Sequence, residues 1–298
     1  MFFLSSVYGN TNMSILGSHQ SISGGLHHAV EDTHRLGFDC VQLFSKNSNQ
    51  WNAKPIDAEA ASLFKSTVER LGITHPLIHD SYLINLASPK EDLYRKSIDA
   101  FDGELQRAAI LGIPMLVMHP GSYTSSSEEE GLAQIIKALD EIFKRNKKNN
   151  VMVLLETTAG QGTNLGAKFE HLGQIMEECK TPERLGVCFD TCHVVAAGYP
   201  LGKKEEYEAT MKTFDRIIGL EHLKAFHLND SVKGVGSHVD RHAHIGHGTL
   251  GLEPFRCLLH DKRFTKIPMY LETPKGIGEI NGTPTDWDVI NLKTLRNL

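Results

Sequence analysis

Six residues stand out by where they fall: His79, His119, Glu156, Asp190, His227 and Glu272 each follow directly on a short apolar run. Imidazole and carboxylate are the side chains that ligate divalent metals and exchange protons near neutrality. A carboxylate at the end of an apolar stretch is costly to bury unless it is paired or bound to a metal. One such residue would carry little weight, since a lone histidine there is usually structural and a lone aspartate usually caps a helix. Six in equivalent positions point to a polynuclear metal site. Asp190-Thr-Cys-His193 adds an imidazole three residues on, within reach of one helical turn. The Gly- and His-rich stretch Gly236–Gly251 adds Asp240-Arg-His242, which resembles a chelating pair, together with His238, His244 and His247. Composition does not choose among these. Mixed imidazole and carboxylate without thiolate suits Zn²⁺, Mn²⁺ or Fe²⁺, whereas Ca²⁺ and Mg²⁺ prefer oxygen cages. Cys188 and Cys192 flank Asp190; Cys188 is expected on the face of its strand away from the ligands, as buried packing.

The apolar runs are the elements that must bring these groups together. There are eight: Ile15–Gly17, Phe38–Phe44, Ile73–Ile78, Met115–Met118, Val151–Leu155, Leu185–Phe189, Leu223–Phe226 and Ile267–Leu271. Most are continuous rather than alternating, as buried parallel strands are. Helical stretches with recognisable ends lie between them. Asp57 caps Ala58–Leu71 before Gly72, Ser88-Pro89 opens a helix to Leu111 before Gly112, and Ser127-Glu-Glu-Glu starts one that reaches about Lys147. Phe169–Cys179, Glu205–Ile218, Glu253–His260 and Thr285–Leu298 complete the set. This alternation predicts an α/β chain folded as a (β/α)8 TIM barrel, with the active site at the C-terminal mouth of the strands. An open doubly wound sheet would carry a glycine-rich phosphate turn after its first strand, and Ser23-Gly24-Gly25 lacks that spacing.

Composition is consistent with this. The 298 residues are 40% hydrophobic and 22% charged, ordinary globular usage that excludes wholesale disorder. Five cysteines without a C-x-x-C pair argue against a disulfide framework and for a reducing compartment, the cytoplasm or another intracellular one. The formal charge of −5 gives no global nucleic-acid signature, while 16 histidines against 31 Lys and Arg is a marked excess. The start lacks the charged and apolar regions of a signal peptide, and no run approaches the ~18 apolar residues that span a bilayer. Residues 1–14 read as a loose extension and 15–298 as one soluble, monomeric domain.

The segments His79-Asp-Ser-Tyr-Leu-Ile-Asn-Leu-Ala-Ser88, Glu156-Thr-Thr-Ala-Gly-Gln-Gly162, Gly186-Val-Cys-Phe-Asp-Thr-Cys-His193, His227-Leu-Asn-Asp-Ser231 and Asp240-Arg-His-x-x-Ile-Gly246 resemble, in order, the motif set of the endonuclease IV family, the apurinic/apyrimidinic endonucleases of DNA base-excision repair. The resemblance runs from about Ile15 to about Pro274. It implies three zinc ions: one held by His79, His119 and Glu156, a second by Glu156, Asp190, His227 and Glu272, and a third by His193, Asp240 and His242. Of the loop histidines it selects His242, leaving His238, His244 and His247 as supporting or solvated residues. Two metals about 3.5–4 Å apart can activate a nucleophile and neutralise a phosphodiester, and a third can hold a leaving oxygen. Glu156 and Glu272 are then the catalytic carboxylates, with Glu272 also orienting the attacking water. The resemblance further implies incision of double-stranded DNA 5′ to an abasic site, leaving a 3′-hydroxyl and a 5′-deoxyribose phosphate, and removal of 3′ blocking groups.

Family members insert side chains from the loops after the second and third strands. Gln50, Tyr82 and Leu83 match those positions, and Tyr82 or Leu83 would wedge against unstacked bases. A nucleotide without its base is cheap to extrude. Asn49 stands where an arginine is expected and Ser81 where a proline is expected. Arg241 is placed to touch a phosphate, and Trp51 is expected to pack. The competing readings are a divalent-metal sugar isomerase or epimerase of similar barrel fold, which needs neither the third metal group nor the probing loops, and a catalytically silent DNA- or metal-binding protein, against which stands the intact ligand set.

Overall fold

The computed structural model describes residues 14–298. The strands in chain order are β1 (Leu16–Gln20), β2 (Cys40–Phe44), β3 (Thr74–His79), β4 (Met115–Met118), β5 (Met152–Glu156), β6 (Leu185–Asp190), β7 (Leu223–His227), β8 (Asp230–Ser231), β9 (His242–Ala243), β10 (Met269–Leu271), β11 (Ile277–Ile280) and β12 (Thr283–Asp286). Eight of them close into a parallel barrel in the order β1-β10-β7-β6-β5-β4-β3-β2, and β8–β9 and β11–β12 form separate antiparallel pairs. The helices are α1 (Leu26–Leu36), α2 (Ala58–Leu71), α3 (Glu91–Leu111), α4 (Glu128–Arg145), α5 (Phe169–Glu178), α6 (Thr191–Ala197), α7 (Lys204–Ile217), α8 (Glu253–His260) and α9 (Trp287–Arg296). No helix among the described residues is long and apolar enough to cross a membrane. Of the expected extension over residues 1–14, all but Ser14 lies outside the described residues; the Ser14 hydroxyl donates to Leu259 O at 3.2 Å.

Helix ends follow the local chemistry. Asp57 Oδ1 accepts from Ala60 N at 2.7 Å, Ser127 and Glu130 form a reciprocal capping box, and Gly72 and Gly112 end their helices in the left-handed conformation. Helix α1 carries no such start signal, for Gly25 precedes it without a side-chain cap, and it is absent from the helices expected from sequence. The expected helix over residues 285–298 begins only at Trp287, because Thr283–Asp286 pair with Ile277–Ile280 as a hairpin.

Inside the barrel, Cys40, Leu77, Val117, Leu154, Cys188, Ala225 and Tyr270 form a buried apolar layer with one residue from each of seven strands. The eighth, β1, supplies Gly17, where a Cβ would lie 2.3 Å from Cys40 O. Strand side chains repeat with a period of two, so the residue two places on faces the same way, one layer nearer the mouth. Those residues are Gln42, His79, His119, Glu156, Asp190, His227 and Glu272. The same rule corrects the expectation for Cys188. It is fully buried packing, but it lies on the ligand-bearing face, directly beneath Asp190.

Candidate metal centre

The barrel thus ends in a ring of imidazoles and carboxylates standing on an apolar plug. His79, Glu156, Asp190, His193 and His227 are buried, while His119, Asp240, His242 and Glu272 are partly open toward the mouth. Glu156 is the hub. Its Oε2 lies 3.1 Å from His79 Nε2 and 3.1 Å from His119 Nε2, and its Oε1 lies 2.9 Å from His227 Nδ1 and 3.3 Å from His193 Nδ1. His227 Nδ1 is also 3.2 Å from Glu272 Oε2. On the far side Asp240 Oδ1 approaches His193 Nε2 at 3.2 Å and His242 Nε2 at 3.3 Å. The nine expected ligands come together, and within the sets His79/His119/Glu156, Glu156/Asp190/His227/Glu272 and Asp190/His193/His242 the donor atoms lie within 4.8 Å of one another.

The partners behind the imidazoles decide what these approaches mean. His79 Nδ1 donates to Asp80 O at 2.9 Å, His193 Nδ1 to Thr157 O at 2.9 Å and His242 Nδ1 to Glu272 O at 3.2 Å. A carbonyl only accepts, so those nitrogens carry the proton, and the opposite nitrogens of the neutral rings turn lone pairs toward the centre. His193 Nε2 and His242 Nε2 stand 3.3 Å apart with Asp240 Oδ1 against both. Three electron-rich atoms facing one another require a cation between them, either added protons or a metal. Burial acts to raise the Glu156 carboxyl, but His227 and His119 beside it hold it well below the usual carboxylate range. Burial opposes charge on His79, yet Glu156, Glu272 and Asp80 raise its pKa to about 9. Asp240, which burial would raise, is brought down to about 2 by His193 and His242. The donor set fits divalent metal ions, which would replace the protons that otherwise balance these carboxylates. Cys192 lies close to Asp240 and His242, but burial pushes its thiol up to about 12, which makes it a poor ligand.

Further contacts aim the carboxylates. Asp190 Oδ1 caps α6 by accepting from His193 N at 2.8 Å, and Asp190 Oδ2 accepts from Asn229 Nδ2 at 2.7 Å. Asn229 Oδ1 in turn accepts from Glu272 N at 3.0 Å. Buried Asp230 accepts from Ser231, Gly248 and Leu250 N at 2.7–3.0 Å, which pins the turn beyond His242; a Cβ at Gly248 would lie 2.4 Å from Asp230 Oδ1. Gln42, His19 and Asn229 were missed in the sequence. The available signals were a lone amide within the apolar run FDCVQLF and an asparagine two residues after His227.

Of the loop histidines, His244 stacks on Trp287 with ring centroids 3.7 Å apart, His247 meets the same ring edge-on, and exposed His238 bonds to Ala159 O. At the rim, Asn49, Gln50, Tyr82 and Arg241 are exposed and Leu83 is half-buried. The Tyr82 ring, 63% exposed, lies 5.6 Å from that of His79, and Arg241 Nη1 donates to Asp240 O at 2.7 Å. Trp51 lies half-buried under Lys96, whose Nζ is 4.3 Å from the ring centroid. The Ser81 hydroxyl, absent from the expected proline, donates to Ser48 O at 2.5 Å and joins the loops after β2 and β3. Beside the centre lies a cavity of about 330 Å³ lined by Ser81, Tyr82, Asn85, His119, Thr158 and Asp240, among others.

The chain matches the family model for xylose isomerase-like TIM barrels over residues 30–295. It is 50% identical to a probable endonuclease 4 of Trichlorobacter lovleyi over 283 residues, covering 95% of this chain and 99% of that one. The crystal structure of endonuclease IV from Thermus thermophilus superposes with a TM-score of 0.81 at 35% identity, covering 95% and 97% of the two chains. The chain belongs to the endonuclease IV family. A D-tagatose 3-epimerase-like protein superposes with a TM-score of 0.69 at 19% identity, over 95% and 96% of the chains, a likeness that extends to the fold alone. Members of the endonuclease IV family are metal-dependent, and the donor sets gathered around Glu156 and Asp240 suit that dependence.

Proposed function

We propose that this endonuclease IV homologue hydrolyses the DNA phosphodiester on the 5′ side of an abasic site, leaving a 3′-hydroxyl and a 5′-deoxyribose phosphate, and that it removes 3′ blocking groups at the same centre. The observation that carries this reading is the convergence of three donor sets on Glu156 and Asp190, beside a rim that exposes Asn49, Gln50 and Tyr82. Three Zn²⁺ ions held by the nine side chains would activate water, neutralise the phosphate and stabilise the leaving oxygen. Glu156 joins the His79/His119 set to the Asp190/His227/Glu272 set, and Glu272, partly open toward the mouth, would orient water. His193, Asp240 and His242 would hold the third ion. Tyr82, exposed at the rim, would fill the gap left by a missing base together with half-buried Leu83, and exposed Arg241 of the metal loop would meet a phosphate. All nine ligands come from one chain, which supports a monomer as the active unit. The five cysteines are free, four of them buried, which suits a reducing intracellular compartment. The sugar-epimerase alternative draws only on the shared fold and leaves the His193/Asp240/His242 set without a task.

The test is incision of a duplex carrying one abasic site, with end-group analysis and metal quantification on the same preparation. Glu156→Gln should lower the rate by roughly 10³-fold, the several kcal/mol that metal ions contribute to such transition states. A metal-replete wild type that leaves abasic DNA intact would refute the activity, and a near wild-type rate for Glu156→Gln would refute the bridging role.

A further inference from the structure

Three of the five ligand imidazoles are set by main-chain carbonyls, as above. His227 differs. Its Nε2 lies 2.7 Å from the side-chain oxygen of Gln42, a residue of the barrel interior with no solvent exposure. The Gln42 amide nitrogen donates to Glu272 Oε1 at 2.5 Å and to His19 Nδ1 at 3.0 Å. Both N–H groups and the carbonyl are therefore used, and reversing the amide would set its oxygen against a carboxylate. With the oxygen toward His227, Nε2 must carry the ring proton. The Nδ1 lone pair is then left facing Glu156 and Glu272. The same amide takes up Glu272 Oε1 and leaves Oε2 toward the centre. Resting on the metal-dependent reading above, we infer that Gln42 is a positioning residue for the Asp190/His227/Glu272 set: one buried amide fixes both the His227 tautomer and the choice of Glu272 oxygen. Partners of this kind behind a ligand typically contribute 10–100-fold to metal affinity.

The experiment compares wild type with Gln42→Met, which keeps the volume and removes all three hydrogen bonds. Zn²⁺ retained per chain is followed against a graded chelator, alongside cleavage of abasic duplex. Gln42→Met should hold its most labile Zn²⁺ about 10–100-fold more weakly, while the remaining ions match wild type and added Zn²⁺ restores cleavage. A variant whose every Zn²⁺ equivalent resists the chelator as wild type does would overturn the inference. Should Gln42→Met fail to fold, judged by melting of the metal-free chain, imidazole ¹⁵N spectra of metal-loaded wild type decide the matter, with His227 assigned by its loss in His227→Gln. A protonated Nε2 with an unprotonated Nδ1 is the expected pattern, and the opposite tautomer refutes it. If wild type neither binds Zn²⁺ nor cuts abasic DNA, both readings fall; if it does both and Gln42→Met matches it, only the role of Gln42 falls.

Discussion

At the rim, Asn49 is exposed on the loop after β2, and its backbone N–H donates to Asn47 Oδ1 at 2.9 Å. A neutral amide there can contact DNA but releases no counterions, whereas each phosphate-neutralising side chain adds about 0.9 to the slope of log affinity against log salt. Asn49→Arg should therefore tighten binding to abasic duplex and steepen its salt dependence by about one such increment. Fluorescence anisotropy from 50 to 200 mM salt would show it, and an unchanged slope would remove position 49 from the interface. Ser81 illustrates the opposite case, a departure that structure explains. Its hydroxyl ties Ser48 to the loop after β3, so that Asn49 and Tyr82 are carried on joined rather than independent loops. Six of the candidate ligands were legible in the sequence because six apolar runs end alike in a His, Asp or Glu, a coincidence that no single bland explanation covers, whereas Asp240 and His242 were picked out of their loop only by the motif resemblance. Gln42 was not legible, because a glutamine inside such a run has many bland explanations, and only the closed barrel brings His227 and Glu272 against it.

A buried strand ends where its apolar run ends, and in a parallel barrel those ends converge, so eight runs read along the chain already implied a common mouth. The hairpins β8–β9 and β11–β12 were not legible, since two to four residues of mixed polarity carry no period. The loop after β2 is held by a similarly hidden device. Lys46 Nζ lies 3.2 Å from Glu104 Oε1 and donates to Gln50 O at 2.7 Å, while Ser45 donates to the other Glu104 oxygen. Arg107 Nε donates to Ser45 Oγ at 2.8 Å and its Nη1 to Lys54 O at 2.8 Å. Helix α3 thus grips both ends of the segment that presents Asn49 and Gln50. Glu104 and Lys46 are both buried, so Glu104→Ala strands an unpaired ammonium. The expected loss is about 3–5 kcal/mol in denaturant unfolding of the metal-loaded protein, with faster amide exchange over residues 45–54. A loss below about 1 kcal/mol, within the range of exposed pairs, would show that water reaches Lys46 and that the grip is loose.

For the molecule as a whole, the centre links folding, metal and pH. In the metal-free chain His79, raised to about 9, contributes stability that is complete below its unfolded value near 6.5 and is lost as pH rises through about 9. Asp240, lowered to about 2, contributes stability present above its unfolded value of 3.8 and lost only as pH falls through about 2. Metal ions take over the balancing role of the protons and bind more tightly as imidazoles deprotonate. Stripped protein should therefore melt at progressively lower temperature from pH 6.5 to 9, and the gap between loaded and stripped protein should widen over that window. A gap that stayed constant or narrowed in calorimetry would mean the imidazoles do not carry those protons. With three Zn²⁺ in the proposed sites, +6 would bring the formal −5 of the chain to about +1, with the added charge concentrated at the mouth. The sequence by itself determined the barrel and the candidate ligands at its strand ends, because the apolar run, the helix caps and the costly polar strand ends are local signals. The tertiary structure alone decided which nitrogen of His193, His227 and His242 faces the centre and which residues hold it there. Those follow from hydrogen bonds between residues 30 to 185 positions apart, His242 to Glu272 O, His193 to Thr157 O and His227 to Gln42, and no local pattern encodes them, unlike the bond of His79 to the adjacent Asp80 O.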